Sequence, residues 1–200
     1  MFNFMRNKFI DLGSNSYLLI LFLILCAFAT FISPAFLDFD NIQNIIRTVM
    51  VLGMIAFGMT IVMILGEIDL SVGSIAAFSC AFGGLFVDSG SSLLVIFLTL
   101  FAGLFVGFLN GIGVALIKVP SLIMTLGTMA IIRNVGYVMT SGQAAYPTKL
   151  EIYMASAKGY LGIIPIPVII FIIVSILALF VVRYLTIGKS FYVVGANPVA

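Results

Sequence analysis

The sequence has no histidine, no tryptophan and only two cysteines in 200 residues. The lack of histidine removes the commonest general base and the commonest metal ligand, so no catalytic residue, metal site or cofactor is predicted. Cys26 and Cys80 lie far apart inside apolar blocks and form no CxxC pair. They are interpreted as small buried hydrophobic residues, and no disulfide is predicted. Nothing in the sequence is typical of a soluble enzyme.

Charge is also scarce, because charged residues make up 8% of the chain, against about 25% of an average soluble domain. The net charge is +2 and the cations are scattered singly, which argues against nucleic acid as a partner. Hydrophobic residues make up 63% of the chain and occur in long uncharged blocks. A helix needs about 20 apolar residues to cross a membrane. The composition therefore predicts an all-α integral membrane protein in the lipid bilayer, with residues 1–200 as a single transmembrane domain.

Six apolar blocks predict about six transmembrane helices, one or more of them broken. Continuous blocks of this length disagree with the alternating pattern of membrane β-strands. Arg6 and Lys8 precede the first block, which we interpret as an uncleaved anchor helix rather than a cleaved signal peptide. Residues 39–47, before the second block, look amphipathic. The blocks are residues 16–32, 48–65, 72–87, 93–117, 121–139 and 163–182.

The cations near the ends of these blocks favour an N-terminus in the cytoplasm. The sequence then has five cations inside and three outside, which is better than the reverse orientation. The inside group is Arg6, Lys8, Lys118, Arg183 and Lys189, and the outside group is Arg47, Lys149 and Lys158. The polar linker 141–162 is expected outside. The run 66–74 is expected on the cytoplasmic side, or folded back into the bilayer from there.

The run GEIDLSVGS, residues 66–74, interrupts the apolar sequence with two carboxylates, Glu67 and Asp69, between Gly66 and Gly73. A charge at mid-bilayer costs about 2.5–3.5 kcal/mol even on the lenient scale, so the run must lie near an interface or against protein or water. One hypothesis is a helix break capped by Asp69 or Ser71. The others are a cation or proton site made by the two carboxylates, and a hinge that gates a substrate path.

Two further features interrupt the apolar blocks. Gly103, Gly107 and Gly111 are four residues apart and predict one helix face that allows close helix packing. Asn110 lies beside this stripe and could form a hydrogen bond across a helix interface. Arg133 and its neighbour Asn134 interrupt the fifth block, where Arg133 lies about 18 Å along the helix from residue 121.

Arg133 therefore has three interpretations. It faces protein or water in a functional role, it snorkels to the interface, or the helix is shorter than predicted.

Gly188-Lys189-Ser190 imitates the end of a phosphate-binding loop. That motif requires GxxxxGK[ST] after a strand, whereas position 183 is Arg and an apolar block precedes it. Nucleotide binding by this chain is therefore not predicted. If ATP drives the protein, another chain binds it.

Six segments carry a family resemblance, in matching order and at matching spacing. They are FDNIQN at 39–44, GEIDLSVGS at 66–74, VPSLIMTLGT at 119–128, TSGQ at 140–143, IPIP at 164–167 and TIGKSFYVVGANPVA at 186–200. Together they resemble the signatures of ribose/xylose/galactose-type ABC transporter permeases, the membrane subunits of binding-protein-dependent sugar importers. Glu67 departs from the usual Gly, Lys189 from Arg, Ala196 from Gly and Val199 from Glu.

The resemblance implies an ATP-driven importer that moves a monosaccharide across a bacterial or archaeal cytoplasmic membrane. It implies a separate ATP-binding subunit, a periplasmic or extracellular sugar-binding protein and a second permease subunit as partners. It also implies that residues 188–200 lead toward the ATPase contact, with Gly188, Lys189, Gly195 and Asn197 as the residues of interest.

Such permeases usually have about half as much chain again, so we expect an N-terminal fragment with an incomplete ABC importer permease fold. The sequence leaves two alternatives open. One is an ion-coupled secondary transporter that uses Glu67 and Asp69, and the other is a truncated remnant without transport activity.

Overall fold

The computed structural model describes residues 2–143 and 150–197, with side chains described from residue 16 onward. Helices dominate this part of the chain, and a two-stranded hairpin joins two of them. The helices are α1 (Phe2–Ile32), α2 (Phe39–Ile64), α3 (Val72–Gly84), α4 (Ser92–Ala115), α5 (Ser121–Met139), α6 (Glu151–Lys158), α7 (Ile166–Tyr184) and α8 (Thr186–Ala196). The strands are β1 (Tyr160–Leu161) and β2 (Ile164–Pro165).

Five helical segments in the described residues are long and apolar enough to cross a membrane. They are α2, α4, α5, α7 and Val72–Ser89, in which a 3₁₀ turn, Val87–Ser89, follows α3. A shorter apolar stretch, Ser16–Ile32, lies in α1. The predicted all-α membrane protein is therefore confirmed, and α5 has the predicted bounds.

Three local expectations differ from the structure. The second helix begins at Phe39 rather than at residue 48, so that residues 39–47 form its first turns. The polar linker contains the short helix α6, and the tail contains α8. These two short helices of mixed polarity were not predicted, because the prediction of helices was based on long apolar blocks. Lys149 and Val199 lie outside the described residues.

The chain divides into two compact units, Met1–Ile46 and Arg47–Ala200. In the first unit, a 3₁₀ turn, Pro34–Leu37, follows α1. The Asn41 side-chain amide donates to the Phe36 carbonyl oxygen at 2.7 Å, and the Asp38 carboxylate accepts from the Phe39 N–H at 2.9 Å. These two bonds fix the start of α2.

In the second unit α3, α4 and α5 pack against one another, and α4 is the central helix. Its buried face follows a helical spacing through Val95, Ala102, Val106, Asn110 and Gly113. Most large apolar side chains of the described chain are exposed, as expected where lipid rather than water surrounds the helices. The one polar side chain on the buried face of α4 is Asn110.

The other end of the bundle is closed by the linker. Helix α6 packs against α4 and α7, and β1 and β2 form an antiparallel hairpin whose turn contains Gly162 at φ +64°. The Arg47 guanidinium lies 4.6 Å from the centre of the Tyr160 ring and donates to the Lys158 carbonyl oxygen at 3.2 Å. These contacts join the linker to α2.

Candidate functional site

The segment between α2 and α3 is a true helix break, and Gly66 ends α2. Gly66 has φ +80°, a left-handed conformation that glycine adopts without steric cost. The Gly66 N–H donates to the Met63 carbonyl oxygen at 3.0 Å, and the Glu67 N–H donates to the Val62 carbonyl oxygen at 3.1 Å. This pair of bonds is a Schellman cap, so the sequence itself specifies where α2 stops.

The Asp69 carboxylate bonds the residue that precedes the next helix. One of its carboxylate oxygens accepts from the Ser71 N–H at 2.7 Å and from the Ser71 hydroxyl at 2.5 Å. Ser71 occupies the position before α3, but its side chain makes no capping bond to the helix. Of the two predicted capping residues, Ser71 therefore occupies the N-cap position without a side-chain cap, and the Asp69 carboxylate accepts from Ser71 rather than from an N–H within the helix.

The Ser71 hydroxyl begins a buried chain of hydrogen bonds that crosses three helices. The Asn110 side-chain amide of α4 donates to the Ser71 hydroxyl oxygen at 2.9 Å. The amide oxygen of Asn110 accepts from the Thr128 hydroxyl of α5 at 2.6 Å. Ser71 is 0% exposed and Asn110 is 6% exposed, so the bond between them is buried, whereas Thr128 is half-buried. We name Asp69, Ser71, Asn110 and Thr128 the break network.

A second set of bonds holds the backbone of the break. The Thr125 hydroxyl oxygen of α5 accepts from the Leu70 N–H at 3.2 Å, and the Ser121 hydroxyl oxygen accepts from the Ile68 N–H at 3.3 Å. Thr125 is only 3% exposed. Backbone groups that no helix satisfies are thus paired by α5, as an interrupted helix within a membrane protein requires.

Sequence reasoning did not identify Ser121, Thr125 and Thr128 as site residues. Their spacing of four and three residues places them on one face of an apolar helix, and this was the signal that could have found them. A Cβ at the predicted Gly73 would meet nothing within 4 Å, so this glycine lies at no close contact. The Glu67 side chain makes no hydrogen bond or ion pair with the described residues. The two predicted carboxylates therefore differ, since only Asp69 belongs to the network.

Helix α8 lies against the break. A Cβ at Gly195 would overlap the Ile64 carbonyl oxygen and lie 3.2 Å from the Leu65 Cα. Gly188 is buried, and a Cβ there would overlap carbonyl oxygens in the last turn of α7. Both glycines therefore allow backbone-to-backbone packing. Lys189 and Asn197 are exposed on the same short helix and at its end. Gly188-Lys189-Ser190 lies inside α8, not in a loop.

The predicted glycine stripe of α4 divides into two parts. A Cβ at Gly103 would lie 3.0 Å from the Ser79 hydroxyl oxygen of α3, so this glycine lies at a helix contact. A Cβ at Gly107 or Gly111 would meet no atom within 4 Å in the described chain. The stripe as a single packing face stays a prediction, with only its first glycine at a contact within the described residues.

Arg133 and Asn134 lie in a separate place, a pocket of about 400 Å³ between α3 and α5. Arg133 is exposed, and the Asn134 amide donates to the Ala130 carbonyl oxygen of its own helix at 2.7 Å. Cys80 of α3 lines the pocket and shares a hydrogen bond with Tyr153 of α6. Burial, followed by the nearby Cys80, raises the pKa of the Tyr153 phenol, so it stays protonated at neutral pH.

Comparison of the sequence with known proteins identifies its family. Residues 41–200 match the family described as branched-chain amino acid transport system, permease component. The chain is 34% identical over 202 residues to the ribose import permease protein of Haemophilus influenzae, an alignment that covers 99% of this chain and 62% of the relative. It is 31% identical over 191 residues to the autoinducer 2 import system permease protein of Escherichia coli O157:H7, covering 95% of this chain and 56% of the relative.

A third relative, the autoinducer 2 import system permease protein of Photorhabdus luminescens, is 31% identical over 187 residues, covering 92% of this chain and 56% of the relative. No solved structure matches the chain. The chain thus spans 62% or less of the length of these three relatives. The chain belongs to this family of permeases, and the resemblance to sugar-type ABC importer permeases drawn from its motifs is confirmed.

Proposed function

We propose that the chain is the permease subunit of an ATP-driven importer that moves a monosaccharide or a sugar-like solute across the cytoplasmic membrane. The relatives named for ribose and for autoinducer 2 support this solute class. A separate subunit hydrolyses ATP, a soluble binding protein delivers the solute from outside, and a second permease subunit completes the pathway. The N-terminus and α8 lie on the cytoplasmic side.

The break network is the observation that supports a moving part. This helix end is held by one half-buried carboxylate, one buried amide and two hydroxyls, so it depends on directional bonds. Such a segment can exchange one set of hydrogen bonds for another at small net cost, because each interhelical bond in a membrane is worth about 0.6 kcal/mol on average. Interruptions of helices at membrane depth are typical of transporters.

Helix α8 is placed to act on this break. Gly195 touches the backbone at Ile64 and Leu65, the last residues before the break, so a displacement of α8 would push on α2 where it ends. The network then connects the break to α4 and α5. In this proposal the ATPase moves α8, and the movement reaches the transmembrane helices through the break.

The energy source tests the function. We expect uptake of radiolabelled D-ribose by cells that carry the complete system to stop when ATP is depleted and to persist when the ion gradient is collapsed. The opposite pattern would replace the proposal with an ion-coupled transporter.

The role of the break is tested by two carboxyl variants. Asp69→Asn keeps the shape but weakens a charge-assisted acceptor, so uptake per molecule of permease should fall about tenfold, the loss expected for a hydrogen bond to a charged group. Glu67→Gln is the matched control, because Glu67 has no partner in the described residues, and it should leave uptake unchanged. A loss of protein equal to the loss of uptake for Asp69→Asn would mean that the network only supports folding.

A further inference from the structure

We propose that the pocket between α3 and α5 is a subsite for a polyhydroxylated solute, with Arg133 as its principal hydrogen-bond donor. The proposal rests on the proposed function for the class of solute. It adds a place where the solute binds and the residues that bind it.

The position of Arg133 requires a polar occupant. Arg133 is the thirteenth residue of α5, a helix apolar and long enough to span the membrane, and lies about 9 Å from its Met139 end. Its side chain makes no hydrogen bond or ion pair with the described residues. A guanidinium at such a depth is costly unless water, protein or a ligand satisfies its five donors. The pocket that it lines can hold those partners.

The walls of the pocket combine small and polar side chains. Ala77 and Ala81 of α3 leave the space, and Gly136 of α5 packs on α3, where a Cβ would be in van der Waals contact with the Phe78 Cα at 3.6 Å. The polar members are Cys80, Arg133, Asn134, Tyr137, Thr140 and Gln143.

Tyr137 is held at the rim by the turn that follows α5. Its hydroxyl lies 2.9 Å from where a Cβ would be at Gly142, whose φ is +71°. Hydroxyl and amide side chains both donate and accept hydrogen bonds, whereas Arg133 only donates. This mixture suits a molecule with many hydroxyl groups better than a purely anionic or apolar one.

The size of the pocket agrees with this class. A volume of about 400 Å³ holds a monosaccharide and several waters, and lies within the range of about 300–1,000 Å³ typical of small-molecule sites. Thr128 of the break network and Arg133 are five residues apart on α5, about 7.5 Å along the helix, and lie on different faces of it. A solute bound at Arg133 would therefore contact the helix whose other polar face holds the break.

Cys80 provides a native reporter, because it lines the pocket and is exposed. In a Cys26→Ser background, we expect D-ribose to slow the reaction of Cys80 with a cationic methanethiosulfonate reagent in cells that carry the complete system. Arg133→Gln should raise the half-protecting D-ribose concentration and the KM of uptake about tenfold or more, the loss of a hydrogen bond to a charged group. Arg133→Lys should raise both concentrations by less, because lysine still donates hydrogen bonds.

Arg183→Gln is the matched control, because Arg183 is an exposed arginine in the last turn of α7, away from the pocket. It should change neither the protection nor the KM. If Arg133→Gln does not accumulate, Asn134→Ala and Thr140→Val, which remove a smaller donor each, should raise the same two concentrations. Unchanged protection and unchanged KM in the variants that accumulate would overturn the subsite while leaving the proposed function intact.

Failure of the proposed function gives a different result. If cells show no ATP-dependent uptake of D-ribose, Cys80 protection is measured on the purified chain in nanodiscs with D-ribose, D-xylose, D-galactose and sorbitol. Protection by any of these that Arg133→Gln weakens supports the subsite, and protection by none overturns it. Protection by phosphatidylglycerol in place of the sugars would also overturn it, because the pocket would then hold a lipid headgroup.

Discussion

At the residue scale, Asn110 is the residue on which the site depends most. It is the only described side chain that bonds both Ser71 before α3 and Thr128 on α5, and it does so from the buried face of α4. The amide donates to the Ser71 hydroxyl, whose own proton goes to Asp69, and it accepts the proton of the Thr128 hydroxyl. A hydrophobic residue of similar size would leave the buried Ser71 hydroxyl and the half-buried Thr128 hydroxyl without this partner.

We therefore expect Asn110→Leu to destabilise the chain by about 1–3 kcal/mol, the cost of leaving buried polar groups unsatisfied. In a chain of this size each kcal/mol lowers the unfolding midpoint by about 2–4 °C. The measurement is thermal unfolding of the purified chain in a fixed detergent. Asn134→Leu is the control, since that amide bonds only within its own helix and is exposed. Equal unfolding midpoints for the two variants would show that the break network does not stabilise the folded chain.

Gly195 tests the contact between α8 and the break. Gly195→Ala adds a Cβ that would overlap the Ile64 carbonyl oxygen, and a backbone atom cannot turn away as a side chain can. We expect uptake per molecule of permease to fall by at least about tenfold, as a misplaced coupling contact costs more than 1.4 kcal/mol. Gly58→Ala in α2 is the control, because a Cβ there meets nothing within 4 Å. Normal uptake by Gly195→Ala would show that transport does not depend on the contact between α8 and the break.

The sequence predicted some of these residues and missed others for a physical reason. Asp69 and Asn110 stood out because carboxylate and amide side chains are rare in apolar blocks, and Gly66 and Ser71 were identified as neighbours of the carboxylates. Thr125 and Thr128 did not, because threonine is frequent in membrane helices, where its hydroxyl can bond the carbonyl oxygen four residues earlier in the chain. Only the folded arrangement shows that these two hydroxyls also serve the break.

At the element scale, the bounds of the helices were predicted best where an apolar block and a turn signal coincide. Helix α5 begins after Pro120 and ends at Met139, as the sequence predicted. Helices α6 and α8 were missed because each is short and mixed in polarity, so neither gives a membrane-length pattern. Their stability comes from packing on α4 and α7 rather than from their own sequence.

The glycine stripe of α4 gives a prediction at this scale. Gly103→Leu should lower the unfolding midpoint of the chain, because the added side chain meets Ser79 and Ile75 of α3. Gly107→Leu should leave the midpoint unchanged, since a Cβ there has open space in the described chain. If the rest of the stripe packs against a second permease subunit, Gly107→Leu should instead weaken assembly, measured by crosslinking in native membranes. A lower midpoint for Gly107→Leu would contradict this division.

At the scale of the whole molecule, the arrangement is governed by the solvent that surrounds it. Among the described side chains, the buried hydrophobic residues are Val95, Ala102, Val106 and Leu150. A soluble protein with so small a core would not fold, but lipid covers apolar side chains as well as a core does. Specificity therefore comes from glycine contacts and buried hydrogen bonds, which composition alone could not locate.

The orientation of the helices in the membrane can be tested by labelling. Because α3, α4, α5 and α7 run back and forth, Ser89 and Leu161 lie at one end of the second unit, and Ile117 and Ser190 lie at the other. With α8 in the cytoplasm, we expect cysteines at residues 89 and 161 to react with a membrane-impermeant maleimide in intact cells. Cysteines at residues 117 and 190 should react only after the membrane is opened. All four positions are exposed in the structure.

Three results of this labelling have different meanings. The full reversal of the pattern would place α8 outside the cell, away from any cytoplasmic ATPase, and would contradict the proposed direction of coupling. Reaction of residues 89 and 117 from the same side would mean that α4 does not cross the bilayer, although it is long and apolar enough to do so. The expected pattern would place Asp69 and Asn110 toward the cytoplasmic half of the membrane and Arg133 toward the outer half, so that imported solute meets Arg133 before it reaches the break.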